Sequence, residues 1–164
     1  MKKAILLGIV LLGTSSVFAA GAKDFVGSYK LINDQVEGET FCYDSLVVAE
    51  EKGLTNLYRG DMTEYGPIVS AELNGKKRDV KASHGEALSS TKGQDSVTLK
   101  NDTLTFSFEG RESLMGIPAM RVTDSVAIKL SADKKIAYAV RKTFEGPVIG
   151  LGKKGKALCE YSKN

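Results

Sequence analysis

The residues best equipped for chemistry in this 164-residue chain are few and scattered. His84, the single histidine, stands in "KASHGEALSS" beside Ser83 and two residues before Glu86. A catalytic serine needs base and acid to converge in space, with the acid orienting the base. Neighbours along one loop do not supply that, and no G-x-S-x-G elbow exists. His84 reads as a solvated loop residue. Near the end, "GPVIGLGKKGKALCEY" places Gly150, Gly152 and Gly155 in G-x-G-x-x-G spacing, and Gly150 to Lys156 in G-x-x-x-x-G-K spacing. A phosphate loop of the second kind needs Ser or Thr after the lysine to reach Mg2+, and Ala157 stands there. A dinucleotide site needs a helix after the glycines and an acid about 20 residues on. The stretch "KALCEYSKN" reads instead as a closing strand. The glycines then belong to a hairpin loop, with Val148, Ile149 and Leu151 as apolar residues that either cover a barrel end or prolong the strand.

Metal chemistry is equally poorly provided for. One histidine and two cysteines leave few transition-metal ligands. Glu37 and Glu39, and Glu50 and Glu51, flank turns without the alternating carboxylates of a calcium loop. Asp124 alone shares the parity of an apolar strand face, with Val122 and Val126, and is a candidate interior polar group. The expectation is no metal, no cofactor, no nucleic-acid partner and no enzymatic activity. Asn101-Asp102-Thr103 matches a glycosylation acceptor but reads better as a hairpin turn, because both leading residues tolerate positive φ.

The first residues say where such a chain goes. "MKKAILLGIVLLGTSSVFAAGAKDF" has a two-lysine start, an apolar run from Ala4 to Leu12, and small residues before Ala19 and Ala22. These are the three regions of a secretory signal peptide, and the apolar run falls short of the roughly 20 residues that span a bilayer. Residues 1–22 are read as the signal peptide, cleaved after Ala19 or Ala22, and 23–164 as a single domain, soluble and periplasmic or secreted, with no membrane span after processing. Removing Lys2 and Lys3 from the 23 basic residues leaves 21 against 20 acidic ones, so no global charge points to nucleic acid or an anionic membrane. In an exported chain the pair Cys42 and Cys159 is expected to form a disulfide.

The elements that must position these residues are strands. Leu104, Phe106 and Phe108 alternate with Thr103, Thr105, Ser107 and Glu109. Val122, Val126, Ile128 and Leu130 alternate with Thr123, Ser125, Ala127 and Lys129. Period two means strands with one buried and one wet face. Strands are predicted near 25–33, 40–49, 54–59, 67–73, 78–83, 95–100, 103–109, 120–130, 136–144 and 156–162, with 84–94 as a rim loop holding at most one helical turn near Glu86–Ser90. Hairpin turns fall at Asn101-Asp102 and Ser131–Lys135, and a break at Gly110–Pro118. The fold class is all-β: an antiparallel meander closed into a single 8–10-stranded barrel, which removes exposed edges. A β-sandwich is the runner-up. A membrane-spanning barrel is disfavoured by the absence of Trp and by charged outward faces.

The start of the domain, "KDFVGSYKLIND", puts Phe25, Gly27, Tyr29 and Leu31 on one parity. It resembles the first strand of the lipocalin and fatty-acid-binding group, the calycins, where a G-x-W motif opens the barrel. Gly27-Ser28-Tyr29 holds that place, with Tyr for Trp. The resemblance implies that Tyr29 plugs the closed end, that a basic residue of a late strand packs over it, with Arg141 as the candidate, and that a small apolar ligand is bound inside. Tyr43, Tyr58 and Tyr138 on other strands are candidate cavity-lining residues, since Tyr joins an apolar face to a polar tip; the competing reading makes them ordinary core. The functional expectation is an exported barrel binding a small hydrophobic ligand. The alternative is an envelope interaction or inhibitor protein with a solid core.

Overall fold

The computed structural model describes residues 20–60, 66–84, 89–147 and 150–164. One short helix, α1 (Ala22–Phe25), precedes ten strands: β1 (Gly27–Gly38), β2 (Ser45–Glu51), β3 (Leu54–Arg59), β4 (Val69–Ala71), β5 (Arg78–His84), β6 (Ser89–Lys100), β7 (Thr103–Leu114), β8 (Ile117–Leu130), β9 (Ile136–Pro147) and β10 (Lys153–Lys163). All ten belong to one antiparallel sheet in the order β4-β3-β2-β1-β10-β9-β8-β7-β6-β5. Curled so that β4 approaches β6 and β7, this sheet is a nearly closed barrel. A sandwich would need two sheets, and there is one. Among the described residues, no helix is long and apolar enough to cross a membrane. The segment expected to be a signal peptide, residues 1–22, lies almost wholly outside the described residues.

Alternation explains the inner face. Leu104 and Phe106 on β7, Val126 and Ile128 on β8, Ala137 and Ala139 on β9, and Ala157, Cys159 and Tyr161 on β10 are all buried. Turn chemistry sets the registers. Asn101 and Asp102 both take positive φ, 48° and 56°, as a two-residue hairpin turn requires. The β7–β8 turn is tighter than the Gly110–Pro118 break suggests. It is made by Met115 and Gly116 alone, and ladder pairing continues up to them.

Two expectations are corrected. The rim loop of 84–94 is largely strand, because β6 starts at Ser89. Its first half carries polar or small residues on both faces (Ser90, Lys92 and Gln94 against Thr91, Gly93 and Asp95), so it has no apolar alternation to betray it. Pairing to β5 and β7 holds it in the sheet. The strand expected at 40–49 starts only at Ser45, and residues 39–44 leave the ladder and turn inward.

One end is closed. Phe25 and Tyr29 are fully buried there, and the Tyr29 hydroxyl donates to the Phe25 carbonyl. The segment bearing α1 crosses the end and is tied to two hairpin turns. The Ala20 N–H donates to Asp102 Oδ1 (2.8 Å), and Lys134 pairs with Asp24 (2.7 Å). The cation over the Tyr29 ring is Lys163, 5.7 Å from its centroid, which also donates to the Asp24 carbonyl. Arg141, the expected counterpart, lies elsewhere because its inward register on β9 falls nearer the other end.

The barrel is left unzipped between β4 and β5, and side chains bridge the seam. Asp95 Oδ2 accepts the Ser70 N–H (2.8 Å), while Arg78 Nη1 donates to the Ser70 carbonyl and hydroxyl (both 3.0 Å). The Ser70 N–H and carbonyl are thus partnered across the seam by side chains, where β4 has no second strand beside it, as a buried peptide group requires.

Candidate functional site

The mouth opposite the closed end is filled by residues 39–44. After β1 the chain reverses at Gly38 (φ 71°) and runs back over the inner face of β10. Gly155 makes this possible. A Cβ there would lie 2.6 Å from the Glu39 carbonyl oxygen and from Thr40 Cβ. The third glycine of the nucleotide-like spacing therefore serves a close backbone crossing and lies within β10, not in the loop; only Gly150 and Gly152 fall between β9, ending at Pro147, and β10, beginning at Lys153.

The plug is fastened at several points. Cys42 is disulfide-bonded to Cys159. The Tyr161 hydroxyl donates to the Tyr43 carbonyl (3.0 Å), and Thr143 Oγ1 donates to the Glu39 carbonyl (3.2 Å). Lys153 pairs with Glu39 at the rim (2.8 Å).

Arg141 is its centre. Its Nε donates to both Asp124 oxygens (3.1 and 3.2 Å), its Nη2 donates to Oδ2 (2.7 Å), and its Nη1 donates to the Phe41 carbonyl (3.0 Å). The guanidinium sits 4.4 Å from the Phe41 ring centroid and 4.2 Å from that of Tyr43. Those rings meet edge to face at 5.3 Å. Stacking adds to the ion pair because a ring face attracts a cation. Both charged side chains are largely buried, 9% and 17% exposed. Burial works against the Arg141 charge, yet the hydrogen bonds and charge of Asp124 outweigh it and hold its pKa above the ordinary value. Tyr43, whose hydroxyl donates to Asp124 at 3.4 Å, is pushed up to about 12, first by burial and then by that carboxylate. Tyr161 is raised too, chiefly by burial. The cluster sets a guanidinium against a carboxylate beside two phenols, with its Nε, Nη1 and Nη2 each donating within the cluster. It fastens the plug.

The sequence-derived candidates therefore separate. Tyr29 plugs the closed end, and Tyr43, Arg141 and Asp124 meet at the mouth. Tyr58 faces outward with its hydroxyl on Glu51 (3.1 Å), and Tyr138 is half exposed on the outer face of β9. Neither lines an interior, because each falls on the wrong parity of its strand. Leu151 is 98% exposed and so covers nothing, while Val148 and Ile149 lie outside the described residues. His84 is on β5 opposite Ser89 rather than on a loop; the side chains of Ser83 and His84, and all of Glu86, are not described. No cluster of three or more metal-ligating side chains occurs among the described residues.

A second polar cluster lies at the seam. A hollow of about 340 Å3 is bounded by Ile68, Val80, Phe108, Ser70, Arg78 and Asp95, among others. Asp95 is buried, and its Oδ1 has no partner among the described residues. Burial raises its pKa against the opposing pull of the Ser70 N–H and Arg78. The signal for Asp95 was present in sequence, since it shares parity with the buried Val97. Phe41 and Lys163 carried no such signal. No family model, curated protein or solved structure matches this chain.

Proposed function

We propose that this chain is an exported interaction protein: a lipocalin-like barrel, disulfide-pinned and filled, that works from its outer surface rather than carrying an apolar ligand inside. The observation that carries this reading is the inward-folded 39–44 segment, whose Cys42 and Tyr43 occupy the mouth while Phe25 and Tyr29 occupy the other end. A carrier needs a pocket of several hundred Å3 lined mainly by apolar groups. The hollow beside the plug is about 240 Å3 and is bounded by Asp124, Arg141, Glu145 and Lys153 as well as Phe41 and Phe144. The Cys42–Cys159 bond supports an oxidising compartment. The test is native mass spectrometry of protein purified from its own envelope, with thermal shifts across a lipid panel. The expected result is bare protein and no shift. A stoichiometric apolar ligand that raises the melting temperature would overturn the reading.

A second reading, a small amphipathic ligand at the β4–β5 seam, draws on the hollow between Phe108, Ile68 and the incompletely partnered Asp95. A ligand found by the same spectrometry and lost in Phe108→Ala would establish it.

A further inference from the structure

The strand registers align four cations in one row. Lys81 lies opposite Lys92, Lys92 opposite Arg111, and Arg111 opposite Arg121, across β5, β6, β7 and β8. All four are exposed and share the outer face, because their chain neighbours Val80, Gly93, Gly110 and Val122 belong to the inner parity. Like charges placed directly opposite one another destabilise a sheet. Three such juxtapositions in succession are a standing cost that folding alone does not explain.

The row lines a concave groove of about 820 Å3, floored in part by the backbone of the paired Gly93 and Gly110. Around it stand five cations, Lys77 being the fifth, and two carboxylates, Asp79 and Glu109. Glu109 is shared between Lys77 (3.3 Å) and Arg121 (3.4 Å), and Asp79 accepts from Gln94 (2.9 Å). Arg121 also borders the adjacent groove of about 790 Å3, where Lys142, Lys154 and Lys156 face a single carboxylate, Glu37. Eight cations against three carboxylates thus follow one stripe of a chain whose overall balance is 23 to 20.

We propose that this stripe binds an extended polyanion, a carboxylated or sulfated polysaccharide chain. Adjacent strands lie about 4.8 Å apart, so the row offers four positive charges over about 14 Å, a spacing matched to anionic groups repeated along a chain. The adjacent groove has a single aromatic side chain, Phe144, and the row's groove has none on which a nucleobase would stack. It also lacks the Tyr, Trp, Phe and Met anchors that mark a protein interface. Its other polar side chains, Gln94 and Ser113, suit hydroxyl groups.

The inference rests on the outer surface being the working surface. Its test is independent of the ligand search, since an internal lipid and an external glycan are read separately. The mature protein is titrated with polygalacturonate and heparin, and in parallel with polyglutamate, duplex DNA and vesicles of anionic lipid. Two charge-matched doubles are compared: Lys81→Glu with Arg111→Glu, which alternate along the row, and Lys30→Glu with Lys129→Glu, whose lysines border neither groove. The expected result is polysaccharide binding that weakens steeply with salt, a loss of at least thirty-fold in the first double, and less than three-fold in the second. The first double should also melt at a higher temperature than the parent, because alternating signs replace repulsion, which excludes misfolding as the cause. Equal losses in both doubles, a preference for polyglutamate, DNA or vesicles over polysaccharide, or no binding would overturn the proposal.

Discussion

Replacing Arg141 with Met removes the guanidinium that unites the plug. Four hydrogen bonds go with it, three to Asp124 and one to the Phe41 carbonyl. Asp124 keeps only the Tyr43 hydroxyl at 3.4 Å. Breaking a buried pair from one side costs about 3–5 kcal/mol, since the remaining charge is left desolvated. Asp124 is 17% exposed, so water screens part of that, and the lower end is the expectation. For a domain of this size about 3 kcal/mol corresponds to a fall in melting temperature of roughly 6–12 °C. The companion Asp124→Leu alone strands the arginine at a similar cost. The double replacement, with neither charge present, should return to within about 1 kcal/mol of the parent, because apolar substitutes for a buried pair are often neutral or better. Urea denaturation of the four proteins, disulfide intact, gives the coupling energy. A single-variant loss below about 1 kcal/mol, or additive losses in the double, would refute the view that this pair organises the mouth. Hydrogen exchange at the amides of 40–44 supplies a local check: protection should drop in both singles.

Converting Cys42 and Cys159 to Ser opens a crosslink spanning 117 residues, and the chain-entropy estimate puts the cost at up to about 5 kcal/mol in urea midpoint analysis. Gly155→Ala drives a Cβ against the Glu39 backbone, and a loss of about 1–3 kcal/mol is expected from that overpacking, with faster reduction of the disulfide by thiols; unchanged values would show that the plug yields freely. Asp95 has a folded-state pKa above its unfolded 3.8, so its favourable contribution is complete below that value and is lost as pH rises through the raised one. Asp95→Asn, which retains an acceptor for the Ser70 N–H, should therefore gain on the parent by about 1–2 kcal/mol between pH 4 and 7; a variant less stable than the parent at pH 7 would contradict this.

The inner faces of β7, β8 and β9 were legible because Leu104, Phe106, Val126 and Ile128 alternate with polar residues over long runs. So was the Asn101-Asp102 turn, where residue type dictates backbone conformation. The disulfide was readable from the cysteine count together with the expectation of export. The inward course of 39–44 was not. "ETFCYD" looks like the start of a strand, and only the absence of a side chain at Gly155, 111 residues after Asp44, makes room for it. Arg141 was singled out for the wrong partner. Its neighbours depend on which end of the barrel β9 delivers it to, and register decides that, not residue type. The cation row was invisible for the same reason. Lys81, Lys92, Arg111 and Arg121 are unremarkable surface residues until pairing puts them side by side.

Eight of the nine strand pairings join consecutive strands. The exception, β1 with β10, joins the two ends of the domain, and the Cys42–Cys159 bond spans the same interval. Local hairpins form early, whereas pairings distant along the chain wait for the entropy of closure to be overcome. The meander β5 to β9 can assemble by itself, but β1 has no second neighbour, and Cys42 no partner, until β10 arrives. The plug belongs to this last step, since residues 39–44 rest on Gly155 and Cys159. Assembly therefore has a built-in order, in which the mouth is shut and locked by the same event that completes the sheet.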